Sequence, residues 1–322
     1  MVNIPSFRDI ESAHLRINSY IHKTPVLTSG SINTMVESDL YFKCENFQKA
    51  GAFKFRGATN AVQSLRDEMA KKGVATHSSG NHAAALALAA RTRNIKCHIV
   101  MPENALPVKV DAVRGYGAEI TFCKPTLKSR EQTLEKVVNE TGAVFIHPYN
   151  CFDVICGQGT AVKELIEEVH TLEFILAPVG GGGILSGSVI AAKAMNPRIK
   201  VIGAEPLNAD DAYQSFKGGR LIPSENPVTI ADGLLTSLGD LTFEIIIKNV
   251  DDIITVKEES IILAMRLIWE RMKIIIEPSA AVSLAAVLEN RNIFKNRKTG
   301  IIITGGNVDL SNLPFTLSSS HR

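Results

Sequence analysis

Four consecutive glycines, Gly180, Gly181, Gly182 and Gly183, stand between an apolar run at 174–179 and a helix-like stretch at 184–194. With no side chains at four successive positions, backbone N–H groups can converge on one point while the following helix aims the positive end of its dipole there. The arrangement reads as an anion cup at a strand-to-helix turn, and it predicts a ligand that carries phosphate. A second reading stays open, in which the glycines only let strand and helix pack closely.

The cup also excludes. No glycine pattern here satisfies G-x-G-x-x-G, and the nearest Walker-like reading ends Gly187-Ser188, where a lysine is required. The decisive partner is Lys54, set between Phe53 and Phe55 where the chain turns from loop into helix. An apolar frame disfavours ammonium, and a neutral lysine can condense with an aldehyde, so cup plus lysine points to pyridoxal phosphate.

These features fall into a family pattern. The segments Phe47-Gln48-Lys49-Ala50-Gly51-Ala52-Phe53-Lys54-Phe55-Arg56-Gly57-Ala58, Ser78-Ser79-Gly80-Asn81-His82, the glycine run and Thr304-Gly305-Gly306-Asn307 occur in that order. So do Glu205-Pro206-Leu207-Asn208-Ala209-Asp210-Asp211, Ile230-Ala231-Asp232-Gly233 and Trp269-Glu270-Arg271-Met272-Lys273. From about residue 7 to 310 the chain resembles the serine racemase and serine/threonine dehydratase family of fold-type II pyridoxal-phosphate enzymes. The resemblance implies a tryptophan synthase β-like α/β fold, with residues 1–72 and 151–322 forming a large cofactor-binding domain and 73–150 a small mobile one.

The chain's own patterning agrees with an α/β class. Strand-like runs at 40–44, 74–77, 96–101, 119–123, 144–147, 174–179, 201–204 and 300–304 alternate with helical patterns, which implies parallel sheets covered by helices. The 322 residues, 45% of them hydrophobic, can bury large cores. A net charge of +2 without a Lys/Arg block leaves no footprint for nucleic acid. The reading expects no signal peptide and no membrane span. Five cysteines without C-x-x-C spacing argue against zinc or a secreted disulfide framework and favour the cytoplasm.

The resemblance also distributes roles. It implies that Phe53, Asn81, Gly180 to Gly183, Ile184 and Thr304 hold the cofactor, Thr304 through a neutral hydroxyl at the ring nitrogen, and that Lys54 bonds to it. A neutral partner leaves negative charge near Cα, poised for reprotonation or β-elimination. Lys54 and Ser79 are expected as acid–base groups on opposite faces of the substrate, because a single base would return the proton to the side it left. Ser78, Ser79, Asn81 and His82, with Arg130 and Ser237 or its neighbour Thr236, are expected around the amino-acid substrate, and Glu277 beside the ring. Each has a plain alternative: an N-cap for Ser78, a strand terminus for Thr304, an exposed arginine for Arg130, a helix cap for Glu277.

Glu205, the Ala209 carbonyl and Asp211 correspond to the family's site for Mg2+ or Ca2+, with Mn2+ as a further candidate. Ser29, Ser31, Ile32, Lys49 and Asn307 lie in the segments that bind ATP as an activator near a homodimer interface. The chain departs from the family there: Gly30 and Ala50 replace hydroxyl residues, Ala83-Ala84 replaces Gly-Gln, and Tyr149 stands where vertebrate relatives carry Asn. The functional expectation is a racemase interconverting L-serine and D-serine, with elimination to pyruvate and ammonia. The alternatives are a serine, threonine or 3-hydroxyaspartate dehydratase, or a non-catalytic phosphate-binding regulator.

Overall fold

The computed structural model describes residues 3–315 apart from Leu106, and apart from the side chain of Val108. Among the described residues ten strands form two sheets: β1 (Val26–Leu27), β2 (Asp39–Cys44), β3 (Val74–His77), β4 (Cys97–Pro102), β5 (Glu119–Cys123), β6 (Val144–Phe145), β7 (Phe174–Pro178), β8 (Lys200–Pro206), β9 (Asp252–Val256) and β10 (Lys298–Ile303). One sheet runs β1-β2-β10-β7-β8-β9 and the other β5-β4-β3-β6. Every pairing is parallel except β1 with β2.

Strand β7 shows why the larger sheet lies in the middle. All five of its residues are buried, and the two-residue period sends Phe174 and Leu176 into one apolar cluster, Ile175 and Ala177 into another. The same alternation divides Ile301 and Ile303 from Ile302 on β10. Both faces of the sheet are therefore covered by helices. In such sheets ligands bind beyond the carboxyl ends of the strands. The segments carrying Ser78 and Ser79, Tyr149, the glycines and Thr304 follow β3, β6, β7 and β10, and all four reach one cleft.

Three glycine contacts lock the helices beneath that cleft. A Cβ on Gly57 would meet the Val154 carbonyl at 2.7 Å, one on Gly157 the Gly57 Cα at 2.7 Å, and one on Gly187 the Gly159 amide at 2.6 Å. The helices Lys54–Ser64, Phe152–Glu168 and Gly183–Met195 thus touch backbone to backbone.

Candidate active site

Lys54 is the first residue of its helix, and the preceding segment is strapped to the end of β10. Phe53 N–H donates to the Thr304 carbonyl at 2.9 Å, and Ala52 bridges Gly305. The Lys54 Nζ donates to the Pro148 carbonyl at 2.9 Å and lies 5.1 Å from the Phe53 ring and 5.9 Å from the Tyr149 ring. Burial lowers its pKa to about 8, with the Glu277 charge pulling the other way. Near neutrality a usable fraction of this amine is unprotonated.

Two residues along, Arg56 anchors the same helical turn. Its guanidinium reaches Glu45 at 2.7 and 2.8 Å and Glu164 at 2.7 Å, while Lys43 Nζ donates to Glu164 at 2.7 Å. All four side chains are buried, two positive and two negative, so the network is compensated within itself.

The cup has the form expected of the glycine run. Gly182 is left-handed at φ 83° and caps the Gly183–Met195 helix. A Cβ at Gly181 would collide with the Tyr149 ring, one at Gly182 would lie 2.8 Å from Leu238, and one at Gly180 would lie 3.0 Å from the Leu234 Cα. Thr242 Oγ1 donates to the Gly181 carbonyl at 2.9 Å. A cradle that admits no side chain, at the amino end of a 13-residue helix, fits a phosphate. Ile184 continues it, and Thr304, 4% exposed, stands at the end of β10 in the same cleft.

Opposite lies the loop after β3. Ser78 and Ser79 line the cleft, which measures ≈ 230 Å³. Ser78 Oγ accepts from Gly80 N–H at 3.3 Å, and Gly80, not Ser78, is the cap of the Asn81–Thr92 helix. That helix starts two residues earlier than the alanine run implies, so Asn81 is a helical residue. Its Nδ2 donates to both Glu277 oxygens, at 2.9 and 3.1 Å, and its Oδ1 accepts from Asn307 at 2.9 Å. Burial pushes Glu277 up to about 7. Glu277 occupies the N-cap position of the Pro278–Glu289 helix, but its side chain makes no capping hydrogen bond and the residue instead lines the cleft. His82 is buried, with Nε2 3.2 Å from the Ile146 carbonyl and its pKa pushed down to about 3. Its ring is therefore neutral and donates from Nε2.

Arg130 and Ser237 are not among the residues lining the cleft. Arg130 sits in the first turn of the Leu127–Thr141 helix, where its charge adds to the burial that lowers the His77 imidazole's pKa, and Ser237 Oγ accepts from Ser224 N–H at 2.8 Å. Thr236 does line it. Of the five nucleotide candidates, only Asn307 borders the adjoining ≈ 340 Å³ recess, together with Lys109 and Tyr116. Ser29 caps the Gly30–Val36 helix 3.3 Å from Ser31 Oγ, Ile32 is fully buried, and Lys49 lies in a short 3-10 turn.

Behind the cup, Glu205 at the end of β8 accepts from the Ala212 and Tyr213 amides at 3.0 and 2.8 Å. Burial and the neighbouring Asp211 charge push its carboxyl well above the usual range. Asp211, itself raised to about 6 by burial, has two buried carboxylate oxygens with no hydrogen bond of good geometry, although Ser224 and Leu238 pull its pKa down. Two buried, repelling carboxylates next to Ala209 suit a hard cation. Among the described residues no three His, Cys, Asp or Glu side chains gather as ligands, so a cation here would rest on two carboxylates, the Ala209 carbonyl and water.

Residue-by-residue reading overlooks the Pro148 carbonyl under Lys54, and Lys109, which pairs with Asp232 at 2.6 Å across the cleft mouth. A backbone acceptor has no sequence signal, and a lone lysine reads as solvated.

A lysine at a helix start, a glycine cup and a strand-end hydroxyl in one cleft make up a donor set that fits pyridoxal phosphate. The family model for pyridoxal-phosphate dependent enzymes matches residues 17–305, and the chain belongs to that family. It is 54% identical over 320 residues to serine racemase from Dictyostelium discoideum, covering 97% of this chain and 98% of that one. It is 51% identical over 312 residues to the β-hydroxyaspartate dehydratase of Paracoccus denitrificans, covering 97% and 99%. The crystal structure of the Dictyostelium serine racemase aligns with a TM-score of 0.91 over 95% of this chain and 99% of that chain.

Proposed function

We propose that this protein interconverts L-serine and D-serine and also eliminates water from serine, releasing pyruvate and ammonia. The observation that carries the reading is the joint presence of Lys54 and Ser79 in one cleft above the glycine cup. Similarity to serine racemases across nearly the whole chain supports it.

Bound pyridoxal phosphate supplies an electron-withdrawing ring that lets an amino acid release its Cα proton. The chain's residues do the rest. Gly180 to Gly183 and Ile184 would hold the cofactor's anionic tail through backbone amides, Phe53 would wall the ring, Asn81 would hold its hydroxyl and Thr304 would meet its nitrogen with a neutral hydroxyl. Lys54 Nζ removes the Cα proton of L-serine on one face, and Ser79 Oγ returns one on the other, with roles exchanged for D-serine. The Ser78 hydroxyl and the amides of Ser79, Asn81 and His82 at the start of the Asn81–Thr92 helix receive the substrate carboxylate. Arg130 joins them when residues 73–150 close over the cleft, and Thr236 or Ser237 meets the substrate side chain.

Glu205, Ala209 and Asp211 take Mg2+ or Ca2+, or Mn2+, behind the cup. ATP activates from the Asn307 recess, with Ser29, Ser31 and Lys49 contributed at a homodimer interface; Ile32, buried in the core, supports that segment from within. All five cysteines are free and four are buried, which supports a reducing cytoplasmic setting.

A second reading, 3-hydroxyaspartate dehydratase, is favoured by the 51% identity to the Paracoccus enzyme. The deciding experiment measures D-serine and pyruvate formed from L-serine, with L-threonine and 3-hydroxyaspartate as controls. D-serine formation supports the first reading. Pyruvate or oxaloacetate without D-serine favours the second, and no product from any substrate removes both.

A further inference from the structure

Lys54 has two tasks in the proposed reaction: it bonds to the cofactor and, released from that bond, it moves the Cα proton of the substrate. A free amine at the end of a long side chain has many rotamers, and only a few of them bring its lone pair to Cα. The structure supplies a restraint. Lys54 Nζ donates to the Pro148 carbonyl at 2.9 Å, with the Phe53 and Tyr149 rings 5.1 and 5.9 Å away.

Pro148 lies in a strap, residues 146–150, that is pinned on both sides of it. Ile146 N–H donates to the Ala75 carbonyl at 2.9 Å, and the Ile146 carbonyl accepts from His82 Nε2 at 3.2 Å. The Tyr149 and Asn150 amides both donate to His147 Nδ1, at 3.3 and 3.0 Å. Asn150 Oδ1 accepts from Leu241 N–H at 3.0 Å, its Nδ2 donates to Asp240 at 2.6 Å, and the Tyr149 ring packs on Gly181. Proline fixes its own φ and brings no N–H. The Pro148 carbonyl is therefore held in place, and among the described residues its one donor is Lys54.

We propose that the Pro148 carbonyl is a positioning acceptor for Lys54 as an acid–base group, taking one N–H of the free amine so that the lone pair is left for the Cα proton. On gaining that proton Lys54 becomes an ammonium, whose bond to the carbonyl is stronger, and the proton remains available for return to Cα. The inference rests on the reading of Lys54 as a base of the reaction and adds the group that aims it.

Pro148-Tyr149 is the only Pro-Tyr step in the sequence, so enzyme carrying carbonyl-13C proline and 15N tyrosine gives a single NMR correlation across that peptide bond. In apoenzyme the Pro148 carbonyl signal should move upfield as pH rises through about 8, where ammonium gives way to the weaker amine donor, and should stay still in Lys54→Met. A signal indifferent to pH in wild type, or one that titrates equally in Lys54→Met, overturns the proposal. In enzyme loaded with pyridoxal phosphate the signal should leave its hydrogen-bonded position, because Lys54 is then bonded to the cofactor. Excess L-serine, recorded before it is consumed, should bring the signal back. A carbonyl that stays at the loaded-enzyme position while serine alters the cofactor's absorbance sinks the proposal alone. Serine that neither alters that absorbance nor yields product removes the reading of the site on which the proposal stands.

Discussion

Asn81 holds both carboxylate oxygens of Glu277 through one amide nitrogen, at 2.9 and 3.1 Å, while Asn307 holds the Asn81 oxygen from the other side. The chain of contacts joins the ≈ 340 Å³ recess to the cleft, and its last member acts on Lys54 through charge. Desolvation lowers the Lys54 pKa to about 8, and Glu277 raises it. Labelling of apoenzyme Lys54 by an amine-reactive reagent should therefore rise with pH around 8, far below an ordinary lysine. In Glu277→Gln the midpoint should move lower still. A midpoint near 10.5, or an upward move in the variant, would contradict this electrostatic account.

Ser79 marks the second face of the reaction. Ser79→Ala should reduce D-serine formation from L-serine by about a hundredfold or more, in the range of positioned acid–base groups. Affinity for pyridoxal phosphate should change far less. A chiral assay showing undiminished racemisation would remove Ser79 from the role.

The paired carboxylates behind the cup make cation binding a competition with protons. Burial raises Asp211 to about 6 and Glu205 well above the usual range, so affinity for Mg2+ or Ca2+ should climb as pH rises through 6 and beyond, and be lost below it. Chelation should lower activity, and added cation should restore it and raise the melting temperature of wild type but not of Asp211→Asn. Identical melting curves with and without cation would count against the assignment.

Arg56 supports the Lys54 helix through two fully buried carboxylates. Replacing it with methionine would strip Glu45 of its charged partner and leave Glu164 with Lys43 alone, at a cost of roughly 3–5 kcal/mol in unfolding free energy. Urea denaturation monitored by circular dichroism measures this directly. A loss under 1 kcal/mol would mean that water reaches the site or that the carboxyls take up protons cheaply.

Much of this arrangement was legible in the chain, and the exceptions have physical causes. The expected strands at 74–77 and 119–123 match β3 and β5 to the residue. The run expected at 144–147 stops at Phe145 because His147 turns its Nδ1 to accept from the Tyr149 and Asn150 amides. The two-residue β1 carries no periodicity, and β9 is blurred by the isoleucines of the helix before it. Lys54 and the glycines stood out because an apolar frame or backbone geometry demands them, while Thr304 was legible only through the family pattern. The Pro148 carbonyl did not stand out: a backbone acceptor acquires meaning only when the fold brings it to the Lys54 amine.

The central claim, that Lys54 and the glycine run serve one cofactor, is tested most directly by borohydride reduction of the enzyme with pyridoxal phosphate, followed by peptide mass spectrometry. The account predicts a phosphopyridoxyl group on Lys54, with its yield cut sharply when Gly181→Ala drives a methyl group into the Tyr149 ring. Label confined to other lysines, or label on Lys54 indifferent to Gly181→Ala in a folded variant, would contradict it.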